Sequence, residues 1–213
     1  MTKVGILGSA VVGQALAQGF KQHGYEVRIG SRTPAKLAAF TESSGIPAGT
    51  FEAVGGWGEH LVLAVHGMAA QEALTIAGAK NHRGKIVIDT TNPLTRDPPV
   101  DGVVKVFTGP NESLLERLQA AFPETRLVKA FNSVGSGLMI NPKFTQGTPT
   151  MFICGNHPDA KHAVSGIILQ FGWEPFDCGG IKSSRALEPL CMLWCLPGFL
   201  RNDWNHAFKM LTK

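Results

Sequence analysis

The sequence predicts an α/β fold built on a doubly wound, mostly parallel sheet. Three observations carry that prediction. Short apolar runs alternate with longer amphipathic stretches from residue 3 onward. The runs are apolar at successive positions instead of alternating, as strands covered on both faces are. A glycine-containing turn joins the first run directly to the first amphipathic stretch, the signature of a β-α-β unit.

Taken in order, KVGILG (Lys3–Gly8) reads as the first strand and Val11–His23 as the first helix. Tyr25–Gly30 is a second strand, and Pro34–Ser43 a helix with Pro34 near its first turn, where a missing N–H costs nothing. Gly49–Phe51 is a short third strand, Leu61–Val65 a fourth, Ala69–Ala79 a helix, and KIVID (Lys85–Asp89) a fifth strand. Glu112–Phe122 is a helix with Asn111 or Ser113 as cap, followed by a sixth strand at Arg126–Phe131. Beyond Asn132 the alternation goes on: strand Thr150–Gly155, helix Pro158–Phe171, strand Trp173–Asp177, and helix Ser183–Leu196, stopped by Pro197–Gly198. Phe199–Lys213 reads as a short helix carrying Trp204, His206 and Phe208. One domain is expected, with residues 1–132 as a dinucleotide-binding core and 133–213 as a continuation of the sheet with C-terminal helices.

The turn is Gly8-Ser9-Ala10-Val11-Val12-Gly13, a GxGxxG pattern with Ala10 at the middle position. That chemistry needs a tight strand-to-helix turn, exposed backbone N–H groups and a helix N-terminus facing a diphosphate. Placed after KVGIL and before a helix, the pattern points to a Rossmann-type dinucleotide site. The second strand ends Gly30-Ser31-Arg32, without the carboxylate that accepts from the 2′-hydroxyl of NAD. Ser31 can donate to a 2′-phosphate, Arg32 can hold it as a charged fork, and Lys36 follows within the next helical turn. NADP(H) is therefore the expected cofactor.

Three more strand ends lead toward the nicotinamide: Ala64-Val65-His66, Thr91-Asn92-Pro93 and Ala130-Phe131-Asn132-Ser133. His66 can bond a ribose or an acceptor ring, and Asn92-Pro93 makes a rigid turn with a free carboxamide. No Ser-His-Asp set, metal-ligand cluster or paired carboxylate is evident, so His66, Pro93 and Asn132 are expected to act by positioning alone. Lys161 and Lys182 are the available proton donors for a carbonyl substrate.

The remaining composition narrows the function classes. Net charge is +4, yet the first 106 residues hold ten Lys/Arg and eight Asp/Glu and the rest repeat that tally. No basic run or basic-aromatic interleaving supports nucleic-acid binding. Gly and Pro together make 38 of 213 residues, too few for a low-complexity chain. The cysteines at 154, 178, 191 and 195 form no CxxC, and Cys191 and Cys195 read as core packing on one helix face. The apolar stretch Ala186–Leu200 is broken by Glu188, Pro189 and Pro197, and no leader pattern opens the chain, so a cytoplasmic protein without membrane contact is expected. Leu190–Leu200 would suit a homodimer interface as well as a core helix.

GSAVVG, IGSR with its downstream Lys36, DTTNP and VKAFN occur in this order. Together they resemble the NADPH-dependent oxidoreductases of the deazaflavin coenzyme F420 type. They are equally similar to the cytosolic NADPH-binding domain of STEAP-type ferric reductases, which passes hydride to a flavin. ICGNHPDAK, FDCGG and Ser184-Arg185-Ala186-Leu187-Glu188 extend the resemblance from about Lys3 to about Leu196. The resemblance implies hydride exchange between NADPH and a small-molecule carrier, FMN, FAD or a deazaflavin. It implies Gly8 to Gly13 at the diphosphate and Ser31, Arg32 and Lys36 at the 2′-phosphate. Ala64, Val65, His66, Asn92, Pro93, Ala130, Phe131 and Asn132 would then line the nicotinamide side, with Trp194 covering the acceptor. The alternatives are a reductase of small carbonyls or imines, for which the length leaves little room for the usual helical domain, and a non-catalytic NADP(H)-binding regulator.

Overall fold

β1 (Lys3–Leu7) is buried at every residue after Lys3, which places it in the middle of a sheet covered on both faces. Its parallel partners are β2 (Glu26–Gly30) on one side and β4 (His60–Leu63) on the other. The computed structural model, which describes residues 1–212, completes the sheet with β3 (Ala48–Gly49), β5 (Ile86–Asp89) and β6 (Arg126–Lys129). The order is β3-β2-β1-β4-β5-β6 and every pairing is parallel, so the fold is the expected Rossmann-type α/β sheet.

The period-two geometry of a strand explains why the apolar runs are continuous. Val4, Ile6, Val62, Ile86, Ile88 and Val128 enter one core, which is closed by α1 (Val11–Gln22), α2 (Ala38–Ser44) and α7 (Pro158–Gln170). The intervening Leu7, Leu61, Leu63, Val87 and Leu127 enter the other, under α3 (Phe51–Trp57), α4 (Ala70–Ala77) and α6 (Leu114–Ala121). α3 lies so close to β1 that a Cβ at Gly5 would sit 2.8 Å from the Val54 carbonyl oxygen.

Several elements differ from the expectation. The third strand is only Ala48–Gly49, and Phe51 starts α3 instead of ending a strand. Thr50 makes that start, its side chain accepting from the Ala53 N–H at 3.2 Å. Gly78, with φ 88°, ends α4 and a further turn, α5 (Ala79–His82), follows. Ser113, not Asn111, caps α6.

The six-stranded sheet stops at β6. β7 (Thr150–Ile153) and β8 (Glu174–Asp177) form a separate parallel pair, and β7 meets β6 at one antiparallel bridge between Lys129 and Cys154. Gly155 permits this crossing, since a Cβ there would lie 2.6 Å from the Leu127 carbonyl oxygen.

The last helix is not stopped at Pro197–Gly198. α8 runs Ser184–Arg201 through Pro189 and Pro197 and ends at Asn202 in the left-handed region. Proline removes only one intrahelical bond, and Leu193, whose carbonyl would have received the Pro197 N–H, is exposed to water. Gly198 is instead a docking point: a Cβ there would lie 2.3 Å from the Trp204 ring. The short helix expected over Phe199–Lys213 is absent; Phe199–Arg201 belong to α8 and 202–212 form an irregular strap, while Lys213 lies outside the described residues. The strap ends on β7, where the Thr150 N–H donates to the Phe208 carbonyl. Within Leu190–Leu200, Cys191 and Trp194 are buried while Leu193, Phe199 and Leu200 are exposed.

Candidate functional site

A cleft runs along the carboxyl edge of the sheet at the β1/β2/β4 ends, where a doubly wound fold places its ligands. Its first wall is the β1–α1 turn. Gly8 has φ +147°, and a Cβ there would lie 2.0 Å from the Ala64 carbonyl oxygen. A Cβ at Gly13 would lie 2.1 Å from the Gly8 carbonyl oxygen, so both glycines are needed for the tight turn. Ala10 occupies the N-cap position of α1 without a capping side chain, and no acidic residue stands in the first turn. The leading N–H groups of α1 are thus left to a ligand, and the helix dipole favours an anionic one. These features fit a dinucleotide diphosphate.

The second wall follows β2. Ser31 is buried and its Oγ accepts from the Thr33 N–H at 3.1 Å, leaving the hydroxyl proton to donate elsewhere. Arg32 and Lys36 line the same cleft with exposed side chains, and Arg32 Nη1 lies 3.6 Å from Glu72 Oε2 on α4. The third wall is Ala64, Val65 and His66 at the end of β4. His66 is exposed and its Nδ1 accepts from the Met68 N–H at 3.3 Å, capping the turn that leads into α4.

The structure therefore brings together Gly8, Ser9, Ala10, Ser31, Arg32, Lys36, Ala64, Val65 and His66. It does not place Val11, Val12 or Gly13 on the cleft wall. Val11 is 69% exposed on the outside of α1, Val12 packs against the core, and Gly13 is buried under Gly8.

The expected nicotinamide-side carboxamides serve the fold. Asn92 Nδ2 donates to the Asn132 carbonyl at 2.7 Å, and Asn132 Nδ2 donates to Asn92 Oδ1 at 3.0 Å and to the Leu187 carbonyl at 2.8 Å. This clasp ties the loops after β5 and β6 to α8. Pro93 and Ala130 are buried beside it, and Phe131 is a core residue held at φ 58°, unusual for an aromatic side chain. Trp194 is also buried, its ring against Gly135, with its indole N–H donating to the His206 carbonyl.

Sequence reasoning missed two groups. The first is a fully buried ion cluster beneath the clasp. Lys129 Nζ lies 2.6 Å from Asp89 Oδ2 and 3.1 Å from Glu188 Oε1, and it donates to the Thr91 carbonyl at 2.7 Å. Burial alone would lower the lysine pKa, but the two carboxylates outweigh it and hold the pKa above the ordinary value. Glu188 also accepts from the Leu114 and Leu115 N–H groups, so one carboxylate serves α8, β6 and the N-terminus of α6. A charged residue inside VKAFN was the available signal. The second group is Glu72, Ile76 and Arg96 on the cleft wall. Glu72 and Ile76 share a helix face, but nothing in the local sequence ties Arg96 to the glycine turn. No group of three His, Cys, Asp or Glu suited to a metal ion occurs among the described residues, and none of their helices is long and apolar enough to cross a membrane.

Comparison with known proteins gives this geometry a lineage. Residues 3–93 match the profile of the family described as NADP oxidoreductase, coenzyme F420-dependent. The metalloreductase STEAP3 of Rattus norvegicus is 32% identical over 203 residues, 93% of this chain, and the human metalloreductase STEAP2 is 29% identical over 88% of it. The chain spans only 39% and 35% of those two relatives. A solved structure from Arthrobacter sp. FB24, a candidate F420-dependent NADP reductase, superposes with a TM-score of 0.93 at 30% identity, each chain covering 100% of the other. Full-length agreement at that identity, on a sheet and glycine turn of this kind, makes the chain a member of the coenzyme F420-dependent NADP oxidoreductase family.

Proposed function

We propose that this cleft binds NADP(H) and exchanges its hydride with a flat conjugated carrier, a deazaflavin of the F420 type or a flavin. In this reading the diphosphate rests on Gly8–Ala10 and the open N–H groups of α1, and Ser31, Arg32 and Lys36 take the 2′-phosphate. Bound NADPH supplies the hydride. The protein orients the ring through Ala64–His66 and keeps the loops beyond it rigid.

The observation that carries the choice of acceptor is the engagement of the polar groups beneath the nicotinamide side. The Asn92 and Asn132 carboxamides bond to each other and to backbone, and the Lys129 ammonium is enclosed by two carboxylates and a carbonyl. Lys161, one of the two lysines suited to protonating a carbonyl product, is spent on Asp177 and the Gly179 carbonyl. Hydride transfer between stacked rings asks mainly for positioning, and such a fixed floor provides it. The test is NADPH oxidation followed optically with F420, FMN, FAD, riboflavin and a panel of carbonyls and imines. Turnover with the deazaflavin or a flavin is expected; turnover confined to carbonyls or imines would overturn the proposal.

A further inference from the structure

The cleft holds a third cation that neither the glycine turn nor the β2 end supplies. Arg96 lines the same cleft as Gly8, Arg32 and His66, although it comes from the hairpin that follows β5. That hairpin is stiff where it carries Arg96. The Thr95 N–H donates to the Lys105 carbonyl at 2.8 Å, the Phe107 N–H to the Pro93 carbonyl at 2.9 Å, and Leu94 bridges Val106. Its far end rests on α8, where Gly102 meets Leu200 and Leu196 and the Val104 N–H approaches Met192 Sδ at 3.2 Å. Asp97 beside it is occupied, accepting from Thr95 Oγ1 and facing Lys105 at 3.9 Å. The Arg96 guanidinium is exposed and makes no hydrogen bond or ion pair among the described residues.

The charges on the wall decide what this arginine is for. Arg32, Lys36 and Arg96 stand against one carboxylate, Glu72, which already faces Arg32. Arg32 and Lys36 both belong to the segment after β2. No Lys or Arg occurs between Gly8 and Phe20, so the diphosphate end of the cleft has backbone N–H groups and the Ser9 side chain but no cation of its own. A dinucleotide diphosphate carries two negative charges there, and an unpartnered guanidinium on a braced arm matches them in charge and in fork geometry.

We propose that Arg96 is the cation that closes on the diphosphate of bound NADP(H), complementing the α1 N-terminus. The inference rests on the cofactor reading of the cleft and adds a contact made from the far side of the sheet. Its test is calorimetric titration of the full chain and its R96A and R32A variants with NADPH, NADH and 2′-AMP. R96A is expected to weaken NADPH and NADH by the same factor, about tenfold or more for a lost charge-assisted contact, and to leave 2′-AMP unchanged. R32A is expected to do the reverse, weakening NADPH and 2′-AMP while sparing NADH. Unchanged affinities in R96A, or a loss confined to NADPH and 2′-AMP, would overturn the assignment to the diphosphate. A wild-type chain that binds neither dinucleotide overturns the cofactor reading itself. Because Arg96 makes no hydrogen bond or ion pair among the described residues, the unliganded variant should unfold at the wild-type temperature, so any loss of binding is read as a lost contact.

Discussion

At the scale of single residues, His82 shows how burial sets chemistry that the sequence does not display. It is fully enclosed, with Nε2 at 3.1 Å from the Leu74 carbonyl and Nδ1 at 2.7 Å from Thr125 Oγ1. A carbonyl can only accept, so Nε2 carries a proton; in the neutral ring that burial favours, Nδ1 accepts from the threonine hydroxyl. Burial pushes its pKa below the ordinary histidine value. A base with a lowered folded pKa takes up its proton more readily in the unfolded chain. Stability is therefore lost as pH falls through about 6.5, the unfolded value. The melting temperature is expected to fall between about pH 7.5 and 5.5, with a shallower slope in H82Q whatever the variant's absolute stability. Equal slopes would mean that His82 is not the group responsible.

At the scale of elements, the Lys129 cluster joins four parts that sequence reading treats separately. Asp89 ends β5, Lys129 ends β6, Glu188 lies within α8, and its carboxylate caps the N-terminus of α6. Removing one member of a buried ion group leaves an uncompensated charge and typically costs about 3–5 kcal/mol. K129M should leave Asp89 and Glu188 facing each other without a counter-ion and destabilise the chain by about that much, read as the urea midpoint. E188Q, which keeps the shape and one acceptor for α6, should cost less. The order reversed would show that capping α6 matters more than balancing Lys129. The Asn92–Asn132 clasp adjoins this cluster through Thr91, whose carbonyl accepts from Lys129, so the two sets of bonds together fix the loops after β5 and β6.

At the scale of the whole molecule, the cleft is the place where four separate parts of the chain meet: the glycine turn, the segment after β2, the β4 end leading into α4, and the hairpin after β5. A ligand that spans them should brace the folded state against unfolding. At a hundred times its dissociation constant, NADPH would add about 2.7 kcal/mol, a rise of roughly 5–10 °C in a chain of this size. The rise is expected to be larger with NADPH than with NADH at equal concentration and to shrink with added salt, since the contacts are to phosphate. In R32A the two nucleotides should give similar rises. A preference for NADPH that survives in R32A would place the 2′-phosphate elsewhere.

What was legible in the sequence follows from local physics. Continuous apolar strands, helical periodicity and the glycine turn require only near neighbours to be recognised, and they sufficed for the parallel sheet and for Gly8–Ala10, Ser31, Arg32, Lys36 and Ala64–His66 on one cleft. Local signals misled where a distant partner decides the outcome. Pro197–Gly198 looks like a helix stop until Trp204 is seated on Gly198, and Asn132 looks free until Asn92 and Leu187 take its carboxamide. Lys129 reads as a strand-end cation until two carboxylates from β5 and α8 enclose it. The sequence by itself determined the class of fold, the family and the residues of the cleft wall nearest the N-terminus, because those are written within single β-α units. The tertiary structure alone decided which polar groups remain available to a ligand, because a side chain is spent or free according to what the rest of the chain brings to it.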